Sequence, residues 1–338
     1  MQLSQADNVD NKYKLLLSEI EKRGAKVNRL YIEAIKETGY LYINSLLNDV
    51  TRYWRDDYRA ALTSFACEAV GGDPDATIGA SLALSLAGSG IGIHDDIIDR
   101  SEIKGFRKRI PGIHGPDLAL VTGDVLVIKG LTAFRSLLKN GFDQNAFYQV
   151  LEIYEKFFLE MCEGEVQEIR FRKNLEITLD EYLEAMWRLG VDAEACTRIG
   201  AVIGGGDESK VESLASYGKR VGFLTRVIDE YKDILNVEGN LSHRIQYESI
   251  PLPLLYASKH SKKYHDQVKK ILSVGSITVS DVEKILEMCY QSGGLDYLKG
   301  LAEKTCVEAQ GKLDACTDSR VLKLLKLLPE KLLDELKI

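Results

Sequence analysis

The sequence predicts an all-α protein, a helical bundle too large to be a simple four-helix one. Three observations carry that expectation. Apolar residues recur at helical spacing along almost all of the 338 residues. No strand-turn-strand rhythm interrupts them, and no Asn-Gly pair joins two β-branched runs. The six prolines are spread thinly and no Gly/Ser run divides the chain, so one domain over residues 1–338 is expected. The apolar fraction of 45% is ordinary for a globular protein and sufficient for a sizeable core.

Taken in order, residues 13–23 and 27–38 read as amphipathic helices, and 40–53 continues in that style. Residues 59–70 are apolar and stop at Gly71-Gly72-Asp73-Pro74, a strong turn signal. The next helix starts at Asp75 or Thr77 and runs to about Asp99. A basic loop punctuated by Gly and Pro spans 104–116. Helices follow over 117–139 and 144–172. Thr178 with Glu181 forms a capping box that opens a helix through Ala201. The glycines 204–206 break the pattern, and with no strand before them they do not form a nucleotide loop. A helix over 209–235, a polar loop over 238–249, a restart at Pro251 and Pro253, and short charged helices over 259–336 complete the chain.

The net charge of −7 argues against a nucleic-acid binder. Six cysteines without a CxxC pair read as the reduced thiols of a cytosolic protein, so a cytoplasmic location is expected. The N-terminal residues lack the pattern of a signal peptide. The longest apolar stretch, 76–93, is rich in Gly and Ser and ends in acids, which fits a buried core helix better than a membrane span.

Those acids are the first chemical signal. His94-Asp95-Asp96-Ile97-Ile98-Asp99 closes the apolar helix. Asp95 and Asp99, four residues apart, share one helix face. Like charges at that spacing repel, and a hard divalent cation such as Mg²⁺ reverses the sign. Asp229-Glu230-Tyr231-Lys232-Asp233 repeats the format on another helix, again after an apolar turn. Facing each other across a bundle, the two pentads suit a cation cluster that holds a diphosphate.

The pentads and several further stretches together resemble the trans-polyprenyl synthase (isoprenyl diphosphate synthase) family, of the all-α class I isoprenoid synthase fold. The matching stretches are Arg59-Ala-Ala-Leu-Thr-Ser-Phe-Ala-Cys-Glu-Ala-Val-Gly-Gly-Asp73, HDDIID, Pro111-x-x-His114 and Gly123-Asp124-Val-Leu. Cys162-Glu-Gly-Glu165, Gly222-x6-Asp229 and Pro253-Leu-Leu-Tyr-Ala257 complete them. The likeness covers roughly residues 40–260. It implies a bundle around a central cavity in which Asp95, Asp99 and Asp229 bind Mg²⁺, with Asp96 and Asp233 in support. Three ions would hold the diphosphate of an allylic substrate and draw charge onto the leaving group. A homodimer is implied, as is contact with a membrane through a lipid product.

The departures are lopsided. The family's Gly-Gly-Lys-Arg-x-Arg stretch, which helps bind isopentenyl diphosphate, is Trp54-Arg55-Asp56-Asp57-Tyr58-Arg59 here. Only Arg59 matches, and Asp56 and Asp57 would repel a diphosphate. The acceptor-binding histidine is Gly88. The Lys-Thr pair falls at Arg188-Leu189, the Phe-Gln pair at Thr225-Arg226, and the Gly-Gln at Gly164-Glu165. Arg107, Lys108 and Arg109 stand for the paired arginines after the first pentad, and Arg244 for the later lysine. Arg59, Arg107, Lys108, Arg109, Arg188 and Arg244 are therefore the expected diphosphate-binding cations. The allylic half is kept and the isopentenyl half is largely lost. The expected reaction is ionisation of a long allylic diphosphate, with transfer to an unidentified acceptor other than isopentenyl diphosphate or in addition to it. Ordinary chain elongation, terpene cyclisation and a non-catalytic subunit are the alternatives.

In the family the residues before the first pentad line the chain-length cavity. Ala83, Ala87 and Gly90, with Ile91 beside them, are small enough along one face to expect a deep prenyl cavity. Trp54 and Trp187 read as packing residues, His94 as a neighbour of the metals or a plain core histidine, and His243, His260 and His265 carry no expected role.

Overall fold

The structure, a computed structural model, describes residues 3–337 apart from 37, 105, 106, 140, 238, 317 and 318. Parts of two expected loops, at 105–106 and 238, lie outside the described residues.

The helices run α1 (Leu3–Lys36), α2 (Leu41–Tyr53), α3 (Tyr58–Ala69) and α4 (Ile78–Ile98). Two antiparallel strands follow, β1 (Ile103–Lys104) and β2 (Arg107–Lys108), where a plain loop was expected. Then come α5 (Ile110–His114), α6 (Pro116–Ala133), α7 (Arg135–Lys139), α8 (Gln144–Phe171), α9 (Leu179–Leu189), α10 (Val191–Ile203) and α11 (Glu208–Ile234). The C-terminal part adds α12 (Leu241–Tyr247), α13 (Leu252–His260), α14 (Lys262–Leu272), α15 (Val279–Gln291), α16 (Gly294–Gly311) and α17 (Arg320–Asp334).

Capping residues fix the ends. The Thr178 box forms as its spacing predicts: Thr178 Oγ1 accepts from Glu181 N at 3.1 Å and Glu181 Oε2 accepts from Thr178 N at 2.7 Å. Asp143 caps α8 and Asp207 caps α11, each accepting from a backbone N–H three residues on.

Helix boundaries depart from the sequence expectation where α6 ends before α7, where α5 and α12 form inside expected loops, and at two glycines. The two expected N-terminal helices are one, α1, continuous through Gly24. A Cβ there would meet Asp57 Oδ1 at 2.1 Å. Glycine costs a helix about 1 kcal/mol, and here it lets the start of α3 approach. Gly190 does the opposite and divides the expected 178–201 helix into α9 and α10. Its Cβ would stand 2.9 Å from Phe223 N, and one on Gly222 would stand 2.3 Å from Gly190 O. The backbones of α9/α10 and α11 thus touch just before the second pentad.

The apolar helix α4 is central. Ala80, Ala83, Leu84 and Ala87 are buried in the main core with Phe65 of α3, Phe157 of α8, Ile199 of α10 and Leu224 of α11. Pro74–Ile98 is long and apolar enough to cross a membrane, but 67% of its most apolar window is buried inside the bundle. A second core beneath α11 joins Ile234, Leu241, Ile245 and Leu254 to α14 and α15. A third joins Tyr31, Leu47, Leu86 and Leu126. The polar ends of α4 and α11 emerge between these cores.

Candidate active site

The C-terminal end of α4 and the C-terminal half of α11 face each other across a cleft of about 810 Å³. Asp95, Asp96 and Asp99 line one wall and Asp229 and Asp233 the other. The helical period dictates this, since each wall shows acids at i and i+4.

Asp99 is the C-cap residue of α4. Its Oδ1 accepts from Arg172 Nη2 at 2.9 Å, and the same nitrogen donates to Ile98 O at 3.0 Å. Burial, together with the nearby carboxylates of Asp95, Glu248 and Glu168, pushes the Asp99 carboxyl up to about 8. Glu165, on α8, is raised to about 8 by burial and then by Asp95, Glu168 and Asp99. Arg226, one turn before Asp229, donates to Glu168 Oε1 at 2.9 Å.

The second pentad is not uniform. Glu230 is 5% exposed and serves the fold. It accepts from Arg244, from Tyr182 Oη at 3.0 Å and from Leu252 N at 2.7 Å. Arg244 also pairs with Asp233, so this expected diphosphate ligand stands in the cleft wall already engaged with two acids. Lys232 donates to Glu335 Oε2 at 2.5 Å.

Arg107, Lys108 and Arg109 line the cleft on and after the β2 strand, and Arg109 Nε lies 3.7 Å from Asp96 Oδ1. The remaining expected cations stand elsewhere. Arg188 pairs with Glu184 at 2.7 Å beside Trp187 and Arg220, in a separate charged hollow. The inward position of its turn is Leu189, which packs against Gly164. Arg59 is absent from the cleft lining. It donates to Asp192 Oδ1 and to Asp56 Oδ2, each at 2.9 Å, and a second Asp192 contact spans 2.7 Å. A Cβ on Gly88 would meet the Arg59 guanidinium carbon at 2.8 Å. Asp56 and Asp57 do not confront the cleft as bare charges: Ser85 and Arg59 bind Asp56, and Asn28 and Arg55 bind Asp57.

The small-residue face of α4 also turns away from the cleft. A Cβ on Gly90 would stand 2.7 Å from Gly123 O, and one on Gly130 would stand 2.8 Å from Ala83 O and from Ala87 N. Ala83, Ala87 and Gly90 thus let α4 and α6 pack closely, and Ile91 packs into the main core. The α4 residues lining the cleft before the acids are Ser89, Gly92 and Ile93.

Glu168, Arg172 and Glu248 line the cleft without having been singled out from the sequence, and Trp54, expected as a packing residue, and His243, expected to have no role, line it too. The spacing of Glu165, Glu168 and Arg172 at i, i+3 and i+7 is the signal that marks one face of α8. His94 turns to α6, with Nε2 3.3 Å from Leu120 O. His114 Nε2 lies 2.9 Å from Asp49 Oδ2 and ties α5 to α2.

Among the described residues, no three His, Cys, Asp or Glu side chains stand close enough to hold a metal by themselves. Mg²⁺ does not require such a cage, because it keeps waters and binds one or two carboxylates plus substrate phosphates. The donor set fits it: hard oxygens on two facing helices, one of them raised to about 8 chiefly by burial and its neighbours' charge.

The all-helical bundle matches the all-α isoprenoid synthase fold of its structural neighbours. Residues 47–289 match the family described as Polyprenyl synthetase, and the chain belongs to that family, whose members are prenyltransferases. It is 26% identical over 281 residues to a short chain isoprenyl diphosphate synthase of Methanothermobacter thermautotrophicus, covering 82% of this chain and 85% of that protein. It is 28% identical over 312 residues to a geranylgeranyl diphosphate synthase of Methanosarcina mazei, covering 90% and 93%. The fold superposes on a geranylgeranyl pyrophosphate synthetase of Pyrococcus horikoshii with a TM-score of 0.86, at 24% identity over 96% of this chain and 99% of that one. A polyprenyl synthase of Caulobacter crescentus, solved with calcium and isoprenyl diphosphate, gives 0.83 at 22% identity, over 96% and 97%.

Proposed function

We propose that this prenyltransferase ionises a long allylic prenyl diphosphate and transfers the prenyl group to an acceptor other than, or in addition to, isopentenyl diphosphate. One observation carries the reading: Arg59, the one cation kept from the family's isopentenyl diphosphate stretch, is held by Asp56 and Asp192 over Gly88. Two carboxylates neutralise it, and the side chain fills the space where the family places a histidine.

Asp95, Asp99 and Asp229, supported by Asp96 and Asp233, would hold Mg²⁺, with three ions the family expectation. Bound there, the cations supply Lewis-acid assistance to departure of the diphosphate. The chain's own groups do the rest. Arg107 and Lys108 present exposed cations to the phosphate oxygens. The allylic C–O bond breaks with its electron pair leaving on the diphosphate. Val50, Tyr53, Trp54, Ile93 and Ile110 wall the cleft nearby and exclude water from the allylic cation, and an aromatic face steadies positive charge. The acceptor's electron pair then forms the new bond. A homodimer is part of the proposal: Leu118, Leu120, Val121, Ile128 and Leu131 leave α6 with an exposed apolar face.

A second reading, chain elongation with isopentenyl diphosphate, is favoured by the geranylgeranyl diphosphate synthases among the relatives and by the basic ribbon in the cleft. Incubation with Mg²⁺ and allylic diphosphates of increasing length, with and without isopentenyl diphosphate, separates the two. Diphosphate release indifferent to isopentenyl diphosphate is expected. Strict dependence on it, with a longer chain as product, would establish elongation instead.

A further inference from the structure

We propose that Glu335, in the C-terminal turn after α17, is a positioning residue for the second acidic cluster: it holds the Lys232 ammonium and so sets how much of that charge falls on Asp229 and Asp233. The inference rests on the reading of those aspartates as cation-holding groups.

Lys232 lies three residues after Asp229 and next to Asp233, and it lines the same cleft. Residues three apart on a helix have Cβ atoms about 5–6 Å apart, so a lysine stem there reaches Asp229. An ammonium on those oxygens competes directly with a divalent cation. In the structure Lys232 Nζ donates to Glu335 Oε2 at 2.5 Å, and the other carboxylate oxygen of Glu335 pairs with Lys331. The anchor is fixed. Tyr13 Oη donates to Asp334 Oδ2 at 2.6 Å, Lys12 Nζ lies 2.8 Å from Glu330 Oε2, and Leu336 is buried in the main core. Glu335 is thus tied to α1 through its own turn and to α11 through Lys232. The Lys232–Glu335 ion pair joins the C-terminal turn to the helix that carries the second pentad.

The test uses the full chain, with Mn²⁺ as the spectroscopic probe and inorganic diphosphate as the co-ligand. Free Mn²⁺ is counted by electron paramagnetic resonance for wild type, Glu335→Gln, Lys232→Met and the double variant. Glu335→Gln is expected to weaken Mn²⁺ binding by about tenfold, as one uncompensated charge at contact distance does. The double variant is expected to return to the level of Lys232→Met, which a merely structural role of Glu335 would not produce. If Gln at 335 loosens α17, Glu335→Asp keeps the charge beside Lys331 and is expected to give a smaller weakening, reversed by the same lysine substitution. Unchanged binding in Glu335→Gln, or a double variant as weak as the single one, overturns the proposal. A wild-type chain that takes up no Mn²⁺ with diphosphate overturns the metal reading itself, a result distinct from the other two.

Discussion

At the pentad end of the cleft, Arg172 meets Asp99 at 2.9 Å and Arg226 meets Glu168 at 2.9 Å, with Asp95, Asp96, Asp229 and Asp233 on the same walls. Behind the apolar wall, Arg59 meets Asp56 and Asp192 at similar distances. The pairs are chemically alike, but their surroundings differ. Around Asp99 the carboxylates of Asp95, Glu248 and Glu168 stand close, with Arg172 as the guanidinium among them. Around Arg59 one guanidinium is held by two acids and lies against the α4 backbone at Gly88, so its charge is answered within the chain. The same residue types therefore line a candidate binding cleft in one place and make a structural brace in the other.

The largest effect is expected where the pentad carboxylates lie. Asp95→Ala and Asp229→Ala each remove an oxygen donor from one wall, and diphosphate release is expected to fall on the order of 10³-fold, measured with Mg²⁺ and an allylic diphosphate. A member of the family acting only as a regulatory subunit would keep its effect on a partner in both variants. Arg59→Met is expected to act on stability instead. It leaves Asp56, 5% exposed, without its cation. Breaking such a pair costs about 2–4 kcal/mol when one partner retains some solvent contact. The urea midpoint should fall with an unchanged slope, while diphosphate release falls far less than in Asp95→Ala. A large catalytic loss in Arg59→Met with normal stability would place Arg59 in the site after all.

The fold and the placement of the two pentads on facing walls were legible because both obey short periods. The apolar rhythm announces helices, and acids at i and i+4 announce a shared face. The Gly190 break and the continuity through Gly24 were not legible, since each depends on which backbone approaches from elsewhere in the chain. Arg188 stands outside the cleft for a related reason. Its turn points Leu189 inward, and a one-residue difference on a helix is about 100°. Ala83, Ala87 and Gly90 show the limit most clearly. Small residues permit a cavity or a close helix contact equally, and only the placement of α6 decides for contact. Glu230 looked like its counterpart in the first pentad, yet Tyr182 and the Leu252 backbone, both distant in sequence, make it structural.

The smallest effect concerns pH, and it also distinguishes the two regions. Asp99 and Glu165 are both raised to about 8 in the fold, first by burial and then by neighbouring carboxylates, from about 4 in an unfolded chain. The folded state therefore holds these protons more tightly than the unfolded state. Their contribution to stability is fully present below about pH 4 and is lost as pH rises through about 8. His243, raised chiefly by its hydrogen bond to Glu248, loses its contribution in the same direction. Arg59, raised by Asp192 and Asp56 against the opposing effect of burial, keeps its proton throughout, so its pairing adds no slope. The melting temperature of the metal-free protein is accordingly expected to fall by several degrees between about pH 5 and about pH 8.5. Asp99→Asn should flatten that fall and raise the melting temperature at the alkaline end, and Mg²⁺ with inorganic diphosphate should do the same for the wild type. A profile that Asp99→Asn leaves unchanged would mean that the charge of the pentad carboxylates is already answered within the chain, and the contrast between the two regions would then disappear.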